Sequence, residues 1–384
     1  MCMKIAIDAR VLMDPQYSGV PEYVYNLISS LVAIDQQNEY LLFYNSAHQV
    51  TLPNFNTPNL RYIGRQIPNK FLNYGLFKVL GYPTIEKLIG EPVDLWFMPH
   101  LNFIAKKSVT KSILTVHDLS FLRYPEFFSM RKNIWHRAIN AKALVNSFDK
   151  VVAVSEQTKR DLIDLTGASS EKITVIYGAA SAEFKVIAKD DRALQSTKQK
   201  FNLPARFILS LGTIEPRKNL LALIKAYESM RAQNPDLADV QLIIAGGSGW
   251  NSAAIYKAIA TSPYRQDIKL LGYVDRSDKV ALYNLASVLA FPSLYEGFGI
   301  PPLEAMACGC PVVASWGTSL AEVIGEAGLL IDPYDINDLS AALTQVLQNN
   351  ALADQLSRLG GLQASKFSWQ RSAEAYLELF KISQ

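Results

Sequence analysis

The sequence predicts an α/β fold made of two doubly wound parallel-sheet domains, and three observations carry that prediction. Short apolar runs recur along the chain, among them Lys4–Ala9 (KIAIDA), Tyr40–Tyr44 (YLLFY), Asp94–Met98 (DLWFM), Ser112–Val116 (SILTV), Phe207–Leu211 (FILSL) and Gln241–Ala245 (QLIIA), and they read as buried strands. Longer amphipathic stretches separate them, so strands alternate with helices instead of pairing as hairpins. At 384 residues the chain exceeds one ordinary core and suits two domains of ~150–200 residues each. The expected division is residues 1–183 with the terminal stretch 368–384, and residues 184–367, with the polar run Ala182 to Gln199 as the crossover.

Composition excludes several function classes. With 49% hydrophobic and 19% charged residues the chain is globular, and a net charge of +3 is too small to imply a nucleic-acid partner. Cys2, Cys308 and Cys310 supply neither a disulfide framework nor a four-ligand metal site, so a reducing cytosol is expected. The start, Met1 to Arg10, lacks the apolar core of a signal peptide, and no stretch of about 20 apolar residues exists to span a bilayer.

In the first half, Lys4–Ala9 is followed by a loop to Gly19 and a helix from about Pro21 to Ile34. Ser18, Gly19 and Val20 thus sit where a strand-loop-helix unit meets a ligand, although a plain turn glycine is the other reading of Gly19. Leu60–Ile63 and Asp94–Met98 are further strands, and Ser112–Val116 ends in His117 and Asp118. A lone histidine is more often structural, but a polar pair at the carboxyl end of a buried strand is where open α/β folds bind ligands. Glu126 to Phe148 reads as one long helical stretch with Arg131, Lys132, Arg137 and Lys142 among Phe127, Phe128 and Trp135. Together with the basic, aromatic stretch Arg61 to Lys87 it suits either an anionic membrane surface or an ordinary solvated face. Lys150–Val154 is a strand, Ser155 caps a helix from Glu156 to Leu165, and Lys172–Tyr177 closes the half.

The second half opens with Phe207–Leu211, which delivers Gly212-Thr213-Ile214-Glu215-Pro216-Arg217-Lys218-Asn219 and a helix from Leu220. Two cations just before a helix N-terminus are electrostatically misplaced unless an anion binds there. Gly246-Gly247-Ser248-Gly249 lacks the packing glycine and acidic partner of a dinucleotide fingerprint and reads as a turn. Ile268–Leu271 leads to Gly272-Tyr273-Val274, and Asp278 to Ala286 is a helix. The stretch Ala290 to Ser315 (AFPSLYEGFGIPPLEAMACGCPVVAS) then reads as strand, glycine loop, helix opened by Pro302 and closed by Gly309, and strand. Its loop, Glu296-Gly297-Phe298-Gly299-Ile300, suits an anion, and Glu296 and Glu304 stand eight positions apart beside it. Glu304 alone is also explained as helix-dipole compensation; Glu296 is not. Helices over Asp338–Gln348 and Ala351–Ala364, then Phe367-Ser368-Trp369 and a last helix to Ile382, complete the chain.

The segment E-G-F-G-I-P-P-L-E-A-M-A-C-G-C-P-V resembles the E-x7-E signature of the retaining glycosyltransferases of GT-B fold, in particular family four, and VHDLSFLRYPEFFS resembles its mannosyltransferase-like members. The resemblance covers nearly the whole chain. It implies two Rossmann-like domains across a cleft, with the last helix crossing back to the first. It implies a nucleotide-sugar donor, GDP-mannose as first choice, and a saccharide or lipid-linked saccharide acceptor in cell-surface glycan synthesis. By position Arg217 and Lys218 would clamp the diphosphate, Glu296 the donor sugar's hydroxyls and Glu304 the ribose. His117, with Asp118, would lie near the sugar's primary hydroxyl, and Gly272-Tyr273-Val274 would hold the base through the backbone. Gly19, Gly212 and the Gly297–Ile300 amides complete the expected donor site. No Asp-x-Asp motif occurs, so no catalytic metal and no cofactor are expected. A cytoplasmic location follows, with peripheral attachment to the inner membrane face through residues 61–87 and 126–148. A GT-B nucleotide-sugar epimerase and a non-catalytic nucleotide-sugar-binding protein are the alternatives.

Overall fold

A computed structural model describes residues 2–13, 19–106 and 109–383. The chain divides into two compact units: residues 1–123, 130–178 and 369–384, and residues 124–129 with 179–368. The segment Tyr124–Ser129 therefore belongs with the second unit although its neighbours in sequence lie in the first.

The first unit holds a seven-stranded sheet: β1 Lys4–Asp8, β2 Glu39–Asn45, β3 Leu60–Arg65, β4 Leu95–Met98, β5 Lys111–Val116, β6 Lys150–Ala153 and β7 Ile173–Val175, in the order β3-β2-β1-β4-β5-β6-β7. The second holds six: β8 Phe207–Leu211, β9 Gln241–Ala245, β10 Ile268–Gly272, β11 Val288–Phe291, β12 Val312–Ser315 and β13 Leu329–Ile331, in the order β10-β9-β8-β11-β12-β13. Among the described residues every strand pairing is parallel, with Ile7 beside Leu42 and Phe97, and Leu289 beside Leu209 and Val312. Strand order reverses between β1 and β4 and between β8 and β11, so the loops leaving those strands diverge and leave a crevice at the carboxyl edge. Each sheet is buried on both faces. Trp96, Phe43 and Leu114 fill one core, and Ile208, Tyr227 and Leu343 the other.

The last helix, Trp369–Ile382, packs on Val20–Ile34 within the first unit. Its Tyr376 hydroxyl lies 3.1 Å from that of Tyr23 and 2.7 Å from Thr115 Oγ1, and Trp369 meets the Tyr23 ring edge-on at 4.9 Å. Burial of apolar aromatic surface with paired hydroxyls fixes this return of the chain.

Several local readings needed correction, among them the crossover Ala182 to Gln199, whose second half opens the helix Arg192–Lys200 capped by Asp191. The expected helix Glu126–Phe148 is broken into a turn at Pro125–Phe127 and helices Met130–Ile139 and Ala141–Ser147. Asn140 takes a left-handed φ of 52° between the two helices and its side chain caps the second, which its amide makes cheap. The helix ascribed to Pro302 starts at Ile300 and contains Pro301 and Pro302 in its first turn. Lys172–Tyr177 contributes only Ile173–Val175 to the sheet. Phe71–Leu80, unassigned from sequence, is a π-helix closed by Gly81 at φ 58°.

Candidate active site

At the carboxyl end of β8 the backbone turns through Gly212, whose φ of 147° suits glycine, and a Cβ there would stand 3.2 Å from Lys218 Cε. Pro216–Lys218 forms a single tight turn ended by Asn219 at φ 55°, and Asn219 Nδ2 donates to Pro333 O at 2.7 Å. Helix Leu220–Gln233 begins next, so both cations stand just ahead of its positive end. The repulsion is met by a carboxylate from the neighbouring strand's loop.

That carboxylate is Glu296. Lys218 Nζ donates to Oε1 at 2.6 Å, and Arg217 Nη1 donates to Oε2 at 2.8 Å and to Tyr295 O at 3.0 Å. From the other side Glu215 Oε1 accepts from Arg217 Nε at 3.0 Å and lies 2.8 Å from Nη2. Lys218 Nζ also lies over the Phe291 ring, 4.5 Å from its centroid. Burial by itself would raise the Glu296 carboxyl, but Arg217 and Lys218 outweigh it and hold its pKa at about 2. For Lys218 burial wins, and its pKa lies below that of an ordinary lysine despite Glu296. Two half-buried cations and two buried carboxylates thus make a compact, pre-oriented set whose charges nearly cancel.

The loop after β11 meets the cation turn at Leu294, whose amide donates to Arg217 O at 2.8 Å, and continues through Gly297, Phe298 and Gly299, with Gly299 at φ 118°. Glu304, one turn into helix Ile300–Ala307, is 1% exposed and is not an exposed dipole partner. Tyr283 donates its hydroxyl to Oε2 at 2.8 Å, and Lys279 reaches Oε1 at 3.4 Å. The two glutamates of the E-x7-E spacing are therefore held by different cations. Gly272, at φ 70°, accepts from the Gly246 amide at 2.7 Å; Tyr273 is 49% exposed, and Val274 is buried.

In the first unit His117 is half-buried at the end of β5. Its Nε2 donates to Pro99 O at 2.8 Å, and the Tyr23 ring meets it edge-on at 4.6 Å. Burial lowers its pKa, so the ring is neutral near pH 7 and Nδ1 keeps a lone pair for a hydroxyl. Asp118 Oδ1 accepts from the amide and hydroxyl of Ser120, at 2.9 and 2.5 Å, and so steadies the turn after His117. Gly19, at φ 61°, precedes helix Val20–Ile34 with open space at its Cβ position; Ser18 lies outside the described residues.

Sequence spacing singled out Arg217, Lys218 and Glu296, and the fold brings these three together. It did not single out Glu215, Tyr295, Phe291, Tyr283 or Lys279. Glu215 carried a local signal, a carboxylate two residues before Arg217. The partners of Glu304 carried none, because a helix remote in sequence supplies them.

The family described as "Glycosyl transferases group 1" matches residues 191–360, and "Glycosyltransferase Family 4" matches residues 17–184. The O-antigen chain mannosyltransferase B of Escherichia coli is 31% identical over 396 residues, 99% of this chain and 100% of that protein. The serotype-specific mannosyltransferase WbdA of Escherichia coli is 34% identical over 270 residues, and there the match spans 70% of this chain and only 33% of that protein. Among solved structures, sucrose-phosphate synthase from Thermosynechococcus elongatus aligns over 99% of this chain and 98% of its own, with a TM-score of 0.76 at 22% identity. WaaG, a glycosyltransferase involved in lipopolysaccharide biosynthesis, aligns over 98% and 99%, with a TM-score of 0.73 at 14% identity.

Proposed function

Because the chain belongs to the group 1 glycosyltransferases and is a glycosyltransferase, we propose that it moves a mannosyl group from GDP-mannose, with retention, to a saccharide or lipid-linked saccharide of a cell-surface glycan. One observation carries the site of this chemistry: Arg217 and Lys218, on the loop after β8, converge with Glu296, on the loop after β11, at the switch point of the second sheet. The sugar is taken from the full-length likeness to the O-antigen chain mannosyltransferase.

Transfer from a nucleotide sugar develops negative charge on the diphosphate and positive charge on the sugar. Arg217 and Lys218 meet the first, together with the amides of the Gly297 loop. Glu296, held ionised, accepts from the sugar hydroxyls once the diphosphate has drawn the cations off it. Glu304, fixed by Tyr283 and Lys279, holds the ribose, and the Gly272–Val274 backbone the base. His117 Nδ1, on the first unit, keeps a lone pair that suits a sugar hydroxyl. The departing phosphate takes the acceptor proton in a front-face attack. No metal is needed in this scheme, since side chains and amides supply the positive charge.

A thermal-shift series with GDP-mannose, UDP-glucose and ADP-glucose tests the donor. GDP-mannose at about 100 times its dissociation constant is expected to add ~2.7 kcal/mol of stability, with smaller shifts for the other two. A larger shift with a UDP- or ADP-sugar reassigns the donor, and no shift with any removes the donor site. Release of GDP only when an acceptor is present separates transfer from epimerisation.

Peripheral membrane attachment is part of the proposal. In the first unit Phe71, Leu80, Met130 and Ile134 are 58%, 67%, 80% and 59% exposed and lie among Lys70, Lys78, Arg131 and Lys132. Lys78 donates to Ala138 O, and Trp135 touches Phe103, which touches Tyr74, so the two stretches form one surface. Such a surface suits an anionic bilayer. Co-sedimentation is expected with phosphatidylglycerol-containing vesicles and not with pure phosphatidylcholine, and it should weaken as salt rises. Equal partition with both, or with neither, rejects the attachment. No described helix is long and apolar enough to cross a membrane.

A further inference from the structure

The prolines of helix Ile300–Ala307 create a difficulty for an anion site at its N-terminus. Pro301 and Pro302 have no N–H, and the Leu303 amide is already bonded to Gly299 O at 3.3 Å. The donors for a phosphate must come from the amides just ahead of the helix, and their direction depends on how the glycine loop is held.

One buried side chain holds it. Ser319, 0% exposed, follows β12 and stands at the start of helix Leu320–Ile324, yet makes no cap bond to that helix. Its hydroxyl reaches across to the loop, its one proton shared between Glu296 O at 2.9 Å and Phe298 O at 2.8 Å. In a trans peptide the carbonyl and the following N–H point in opposite directions. Pinning those two carbonyls therefore turns the amides of Gly297 and Gly299 to the other side of the loop. The adjacent Leu320 presses on the same side, for a Cβ on Gly299 would lie 2.6 Å from its Cδ2.

We propose that Ser319 is a positioning residue for donor binding: by bridging the Glu296 and Phe298 carbonyls it sets the glycine loop so that the Gly299 amide is aimed at the donor's diphosphate. The proposal rests on the donor-site reading above. Loss of the hydroxyl frees both peptide planes to rotate, while Arg217 and Lys218 stay in place.

The test uses the full chain labelled with 15N-glycine, unaltered and as Ser319→Ala and Ser319→Thr, titrated with pyrophosphate and with GDP by calorimetry and amide spectra. Ser319→Ala is expected to weaken pyrophosphate binding about tenfold, which is ~1.4 kcal/mol, and to lose the ligand-induced shifts of the loop glycines. Ser319→Thr, which keeps the hydroxyl, should stay within about threefold of the unaltered chain by the same scale. Melting curves taken alongside exclude unfolding as the cause. Unchanged pyrophosphate binding in Ser319→Ala, or an equal loss in Ser319→Thr, overturns the proposal. Failure of the unaltered chain to bind either ligand is a different result and rejects the donor site itself.

Discussion

Lys218→Ala is expected to lower the transfer rate by ~10²-fold or more, the size of other lost electrostatic stabilisers preset in a buried site. The ammonium is held between Glu296 and the Phe291 ring, so it is already placed and already stripped of water when the leaving diphosphate develops charge. Water replacing it would have to reorient during the reaction. Glu296→Ala should cost as much for the complementary reason: the sugar loses its hydroxyl acceptor, Lys218 loses its counter-ion, and Arg217 is left with Glu215 alone. Removing one member of a buried pair can also destabilise by ~3–5 kcal/mol, so rates are compared at a temperature where circular dichroism shows each variant folded. Initial rates of GDP release with saturating acceptor decide the matter. A loss of tenfold or less in both variants would place the chemistry elsewhere.

Gly246→Ala is the second large effect, and it acts through the sheet. Gly246 has φ 152°, and a Cβ there would lie 1.9 Å from Gly212 O and 2.6 Å from Gly212 C. Both are backbone atoms and cannot swing aside. The Gly212 amide donates to Ala245 O at 2.9 Å and the Gly246 amide to Gly272 O at 2.7 Å, so the ends of β8, β9 and β10 are laced together at this point. A methyl group must part them. The combined strain and overpacking are expected to destabilise the second unit by ~2–5 kcal/mol and to lower its melting transition by on the order of 10 °C. Because Gly212 stands over Lys218, nucleotide binding should fall as well. Gly247→Ala is the control: nothing lies within 4 Å of its Cβ position, so its melting should stay close to that of the unaltered chain. Equal melting for the two variants would refute the close approach.

These two sites show what was legible in the sequence. Arg217 and Lys218 before Leu220 were conspicuous because like charge at the positive end of a helix is unfavourable alone, and Glu296 because a carboxylate before a glycine loop has no simple local use. Gly246 read only as a turn glycine. The constraint on it comes from Gly212, 34 positions away, and becomes visible only when β8 and β9 lie side by side.

Taken by itself, the sequence determined the short apolar runs and amphipathic stretches that make two parallel sheets with their helices, the glycine loop, and the charged residues that a diphosphate would need. Those properties are local, set by burial of short apolar strands and by the polarity of helix ends. Tertiary structure alone decided that Glu296 neutralises both cations, that Tyr283 and Lys279 hold Glu304, that Asn140 breaks the expected long helix, that Tyr124–Ser129 joins the second unit through Trp250, which stacks on Phe128 and donates to Phe127 O at 2.6 Å, and that Ser319 pins the loop. Apart from the Asn140 break, which its own left-handed backbone and side-chain cap produce, each of these joins residues remote in sequence. Spacing along the chain carries no record of such partners, because packing of the strands and helices brings them within hydrogen-bonding or stacking distance.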